Sequence, residues 1–106
     1  MTLEERKTIA ETIYNQLGGN RFKVMTGAKH FTYDDNGTLS FKLPKAKDGI
    51  NFIQIKLNSM DLYDVEYRRF TAGTSIKNIL KSSANGIYND QLRSSFEHHT
   101  GLYTSL

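Results

Sequence analysis

Three runs of this 106-residue chain place an apolar residue at every second position, and that period limits the fold more than any other feature. Leu39, Phe41 and Leu43 alternate with Ser40 and Lys42, and Ile53, Ile55 and Leu57 alternate with Gln54 and Lys56. Tyr63, Val65 and Tyr67 then alternate with Asp64, Glu66 and Arg68. Successive side chains of a strand point to opposite faces, so each run is a strand with one dry face and one wet face. The connections are short. Asp34-Asp35-Asn36-Gly37 is a turn cluster whose Asn-Gly pair suits the positive φ angles of a hairpin, and Asn58 to Asp61 is a second turn. Pro44 to Gly49 is a polar loop that cannot continue a ladder. Short connections make neighbouring strands antiparallel.

The same period is visible earlier. Phe22 and Val24 alternate with Arg21, Lys23 and Met25, which predicts a first strand at 21–25, and Phe31 and Tyr33 predict a short second one. Residues 71–82 are expected as an edge strand. Ile76, Ile79 and Leu80 would also suit a helical turn, but Thr, Ser and Asn are poor helix-interior residues.

Both ends read as helices. Thr2 with Glu5 is a capping-box pattern, and Ile9, Ala10, Ile13, Tyr14 and Leu17 form one apolar stripe before Gly18-Gly19-Asn20. A helix is expected at about 3–17. Near the other end Asn89 is placed to cap, Asp90 favours a first turn, Leu92, Phe96 and His99 share a face, and Gly101 stops the helix. The expected architecture is one α+β domain over 1–106: an antiparallel meander of four or five strands flanked by an N-terminal and a C-terminal helix, in two layers.

Composition removes whole classes of chemistry. With no cysteine there is no disulfide framework, thiolate zinc site, iron–sulfur cluster or cysteine nucleophile. Met1 to Lys7 runs directly into charged helical sequence, so no secretory signal is read there, and cytoplasmic residence is the expectation. No Gly-rich loop has phosphate-binding order, because Gly18-Gly19 follows a helix instead of opening one. No cofactor and no metal are expected.

The formal charge of +3 and the pI near 9.2 permit nucleic-acid contact without requiring it. Arg21, Lys23, Lys42 and Lys56 fall on outward strand positions and are the candidate phosphate-binding residues. An ordinary solvated face gives the same pattern. Base stacking is disfavoured, because the strand aromatics share parity with the aliphatic core. Asp61, Asp64, Glu66 and Arg68 loosely echo an acidic, metal-binding nuclease strand, yet alternating acids on an exposed strand are common. His98 and His99 are adjacent and point about 100° apart on a helix, too far apart to chelate one ion together. Gly86-Ile87-Tyr88 with Gly101-Leu102-Tyr103 has the letters of a GIY…YIG nuclease opening, but too little chain follows for that domain. Thr104-Ser105-Leu106 fits a carboxylate-capture peptide, for which a three-residue match is weak support.

QLGGNRFKVMTGAKHF (16–31), LSFKLP (39–44), INFIQIKLNSMDLYDVEY (50–67) and GIYNDQLRSSFEHHTGLYTSL (86–106) carry a wider likeness. Together they resemble a family of small uncharacterised proteins of bacteriophages, prophages and mobile elements, most specifically through MDLYDVE and TGLYTSL. The resemblance is weakest over 68–85 and transfers neither an activity nor a functional residue. It implies a phage-type or mobile-element accessory protein in a bacterial cytoplasm, and the expected mode of action is binding, not catalysis. The partner is DNA or RNA on the reading from charge, or a host protein, for example a defence protein, on the alternative.

Overall fold

The computed structural model describes residues 2–73 and 76–104. Helix α1 (Leu3–Leu17) is opened by Thr2, whose hydroxyl accepts the Glu5 N–H at 3.1 Å. Its apolar stripe buries Ala10, Ile13 and Leu17. The chain reverses at Gly18, whose N–H bonds back to the Asn15 carbonyl at 3.1 Å.

The segment expected as a first strand is helical. Helix α2 (Gly19–Thr26) buries only Phe22 and Thr26, an i, i+4 pair that shares one helical face, and Val24 is left 80% exposed. Eight residues hold barely two turns. Over so short a span Phe22 and Val24 mimic a strand, and the packing of one aromatic decides the matter. Thr26 closes the helix locally: its hydroxyl donates to the Phe22 carbonyl at 2.8 Å and accepts the Ala28 N–H at 3.2 Å.

Five strands come next: β1 (Lys29–Tyr33), β2 (Leu39–Lys42), β3 (Phe52–Leu57), β4 (Tyr63–Thr71) and β5 (Lys77–Ile87). They pair in sequence order, each antiparallel to the next. The expected meander is therefore present, with its first strand beginning at Lys29. The edge strand expected over 71–82 is displaced: Thr71 ends β4, residues 74 and 75 lie outside the described residues, and the strand runs from Lys77 to Ile87.

Two hairpins share one turn. Asp34 accepts the Asn36 and Thr38 N–H groups on its carboxylate at 2.8 and 3.0 Å, and Asn58 accepts those of Met60 and Leu62 at 2.8 and 3.2 Å. The fourth turn residue takes a positive φ in both cases, Gly37 at 77° and Asp61 at 59°. Asn36 does not, so the turn is a type I form followed by a left-handed residue, not the tight two-residue hairpin that Asn-Gly suggested.

After β5 a short 3-10 turn (Asn89–Gln91) leads into α3 (Leu92–Thr100). Asn89 does not cap α3. The turn is closed at Tyr88, whose carbonyl accepts the Gln91 N–H at 2.9 Å. Among the described residues the three α-helices lie on one face of the sheet. Phe22 of α2, Phe41 of β2 and Phe96 of α3 meet edge-on or tilted at centroid separations of 5.1 to 6.4 Å. Ile53, Ile55, Val65 and Tyr67 complete that dry face. The architecture is α+β in two layers, and among the described residues one sheet face carries no helix. No helix among the described residues is long and apolar enough to cross a membrane.

Candidate functional site

The helix-free face is organised by strand register. Lys29 pairs with Lys42, Lys42 with Phe52, Phe52 with Arg68 and Arg68 with Leu80, so one row crosses all five strands. Strands lie about 4.8 Å apart, which puts Lys29 and Arg68 about 14 Å from each other along that row. The next row is polar: Thr32, Ser40, Gln54, Glu66 and Ser83. The row contains Glu66, and Asp64 lies beyond it opposite Lys56. The face is polarised, cationic and aromatic at one end and mixed in charge at the other.

The four residues expected to bind phosphate are divided by this arrangement. Lys42 and Lys56 do lie outward on the sheet, but Lys56 is four residues beyond the partner of Lys42, about 13 Å along the strand. Its opposite number is Asp64, which offsets its charge. Arg21 and Lys23 are exposed on α2, in the helical layer, and are not part of the sheet face. Lys29 and Arg68 take their place. Arg68 is partly committed, because its guanidinium donates to Glu66 at 2.9 Å and to the Asn78 amide oxygen at 3.3 Å.

Two aromatics stand on the wet side, against the expected parity. Phe52 and Phe70 are half-buried on the helix-free face, with ring centroids 6.4 Å apart, and the Lys42 ammonium sits 5.8 Å from the Phe70 centroid. At that range the ammonium is attracted by the ring face. The Asn51 side chain holds Phe70 in place: its amide donates to the Phe70 carbonyl at 2.8 Å and accepts the Phe70 N–H at 2.7 Å. A cleft of about 200 Å³ opens beside this ring, lined by Lys29, Lys42, Leu43, Pro44, Asn51 and Phe70. One signal in the sequence pointed here. Between Glu66 and Asp90 there is no acidic residue, while Arg68, Arg69, Lys77 and Lys81 all fall in that stretch.

The nuclease-like acids are engaged in structure. Asp64 accepts from the Asn58 amide at 3.2 Å and from the Gly86 N–H at 3.0 Å, Glu66 pairs with Arg68, and Asp61 is set apart in its turn. Among the described residues no three His, Asp or Glu side chains come together as a metal-binding group. Thr104 is buried, donating from its N–H and its hydroxyl to Glu97 at 2.8 and 3.1 Å. Residues 105 and 106, the remainder of the tail motif, lie outside the described residues.

The two C-terminal histidines separate as their helical spacing requires. His98 is exposed, whereas His99 stacks on Tyr67 at 4.5 Å and shares a hydrogen bond of 3.0 Å with the Ser82 hydroxyl. Burial, with His98 and Lys47 adding to it, lowers the His99 pKa below 6.5. Burial also pushes the Tyr67 phenol up to about 12; the Ser95 hydroxyl draws it back but stands outside ordinary hydrogen-bond geometry. The unfolded chain therefore takes up a proton at His99 before the folded chain does. Stability should fall as pH drops below about 6.5 and level off below the folded-state pKa. Urea midpoints from about pH 8 to 5 should show this drop, reduced in His99→Phe, which keeps the stacking on Tyr67. An equal drop in the variant would assign the effect to other groups.

No family model matches this chain, and no curated protein or solved structure matches it.

Proposed function

We propose that the protein binds nucleic acid on its helix-free sheet face, using the cationic end of that face for phosphate contacts. The observation that carries this reading is the cross-strand row Lys29, Lys42, Phe52, Arg68, which holds three cations and no acid. Phosphate contacts of this kind are independent of sequence and release counterions, so affinity falls with salt. The setting that goes with this reading is a bacterial cytoplasm, and the role is that of a phage-type or mobile-element accessory that binds without chemistry.

Titration of labelled single- and double-stranded oligonucleotides at low and moderate salt tests the reading. Binding at low salt is expected, and the Lys29→Ala/Lys42→Ala double variant should flatten the log–log salt slope by about 1.4 to 1.8. Lys23→Ala, in the helical layer, should leave the slope unchanged. No binding to any nucleic acid at low salt, where phosphate contacts are strongest, overturns it. In that case the rival reading, a module that binds a host protein, gains from a different place. An apolar cleft of about 260 Å³ runs between α1 and the edge strand β1, lined by Tyr14, Phe31 and Tyr33. An extended segment could add to that edge.

A further inference from the structure

The cleft beside Phe70 has the shape and chemistry to distinguish between forms of nucleic acid. We propose that it takes one unpaired base of a single strand, stacked on Phe70 next to Phe52, with Lys29 and Lys42 on the flanking phosphates. This site rests on the sheet face being a nucleic-acid surface, and it adds which form of nucleic acid that surface selects.

Size is the first ground. The cleft opens about 200 Å³, below the ~300–1,000 Å³ usual for drug-sized ligands and room enough for one planar ring system. In a duplex the base faces are covered by their neighbours, and only an unpaired base can present one to a side chain. Preorganisation is the second. Both backbone groups of Phe70 are bonded to the Asn51 amide, so the strand end that carries the ring is fixed before a ligand arrives and little backbone freedom is lost on binding.

The third ground is the position of Lys42. Its ammonium lies over the Phe70 ring at 5.8 Å from the centroid, beyond van der Waals contact, which leaves room on this ring face for a partner that approaches more closely. A base taking that place leaves the flexible lysine free to meet the adjoining phosphate, and Lys29, its cross-strand neighbour, is within reach of the next. Base identity is read weakly. Among the described residues that line the cleft, the Asn51 amide is the one side-chain group able both to donate and to accept, and one N–H and one lone pair of it are committed to the Phe70 backbone. Stacking without edge contacts tolerates any base.

An abasic strand separates this mechanism from phosphate contact alone. A labelled oligothymidylate, an abasic strand of equal length and a duplex are titrated against the intact protein at low salt. The oligothymidylate should bind more tightly than the duplex, and the abasic strand about 5- to 150-fold more weakly than the oligothymidylate. Phe70→Leu should lose affinity in the same range with its salt slope intact, and Phe70→Tyr should restore it. Equal binding of the abasic strand, or tighter binding of the duplex, overturns the stacked-base site and leaves the phosphate reading in place. No binding of any of the three overturns both. The abasic strand needs no variant, so a Phe70→Leu chain that fails to fold does not remove the test.

Discussion

Gly37→Ala is expected to destabilise the protein by about 2–5 kcal/mol, a large share of the ~5–15 kcal/mol that holds a domain folded. Two costs combine. Gly37 sits at φ +77°, where a side chain crowds its own backbone, which accounts for about 1–2 kcal/mol. The rest is packing against α1. A Cβ at this position would stand 2.9 Å from Ile9 Cβ, 3.0 Å from Ile9 Cγ2 and 3.1 Å from the Arg6 carbonyl oxygen. A branched carbon and a helical carbonyl cannot swing away as a flexible side-chain tip can, so the β1–β2 hairpin or α1 must shift.

The contact also joins two elements that register alone does not connect. Arg6 of α1 pairs with Asp35 in the same turn, so the Asp34–Gly37 cluster is both a hairpin turn and the seat of the N-terminal helix. Gly86→Ala supplies the control. It has a similar φ of +68°, but its added Cβ would meet only Leu62 Cδ1, at 3.8 Å. It should cost the conformational part alone, about 1–2 kcal/mol. Urea unfolding of the two variants compares them directly, and equal losses would show that the approach of α1 to the turn carries no energy.

The sequence made the sheet legible where each strand buries one face along its whole length. Phe41, Ile53, Ile55, Val65 and Tyr67 are all inward, as their alternation requires. Helix α1 was legible through its cap and stripe. Two kinds of residue were not. In α2, one aromatic and one threonine are buried across eight residues, which is too little pattern to tell a period of 3.6 from a period of 2. Phe52 and Phe70 fall at strand ends, beside Ile53 and Arg69, where an apolar residue on the wet face reads as a break in alternation instead of a feature.

The cationic row was hidden for another reason. Residues 29, 42, 52 and 68 become neighbours only through three strand registers, and each register depends on the length and form of a turn. The charges nearest each other in sequence, Arg21 and Lys23, went to the helical layer. Linear spacing located one of the three cations of that row, Lys42, and could not show how the row assembles.

Phe41→Ala carries the other large expected loss, about 3–5 kcal/mol. Phe41 is fully buried, and its ring lies 5.4 Å from Phe22 of α2, 5.0 Å from Phe31 of β1 and 6.4 Å from Phe96 of α3. Three elements converge on one side chain. Each is anchored elsewhere as well, Phe22 against Phe96 and Phe31 against Tyr14, so none can move in to fill the space. A cavity that cannot collapse puts the cost at the upper part of the range. Phe41→Leu keeps most of the volume and should lose far less, about 1.5 kcal/mol. Equal losses for the Ala and Leu variants would mean that ring packing, and not the empty volume, sets the cost. The next residue along the strand points the other way. Lys42→Ala should change stability by no more than about 0.5 kcal/mol while weakening nucleic-acid binding and its salt dependence. Phe41→Leu, still folded, should leave both of those unchanged. On that outcome adjacent positions of β2 separate folding from the proposed binding, because a strand between a dry and a wet face gives each residue only one of the two environments.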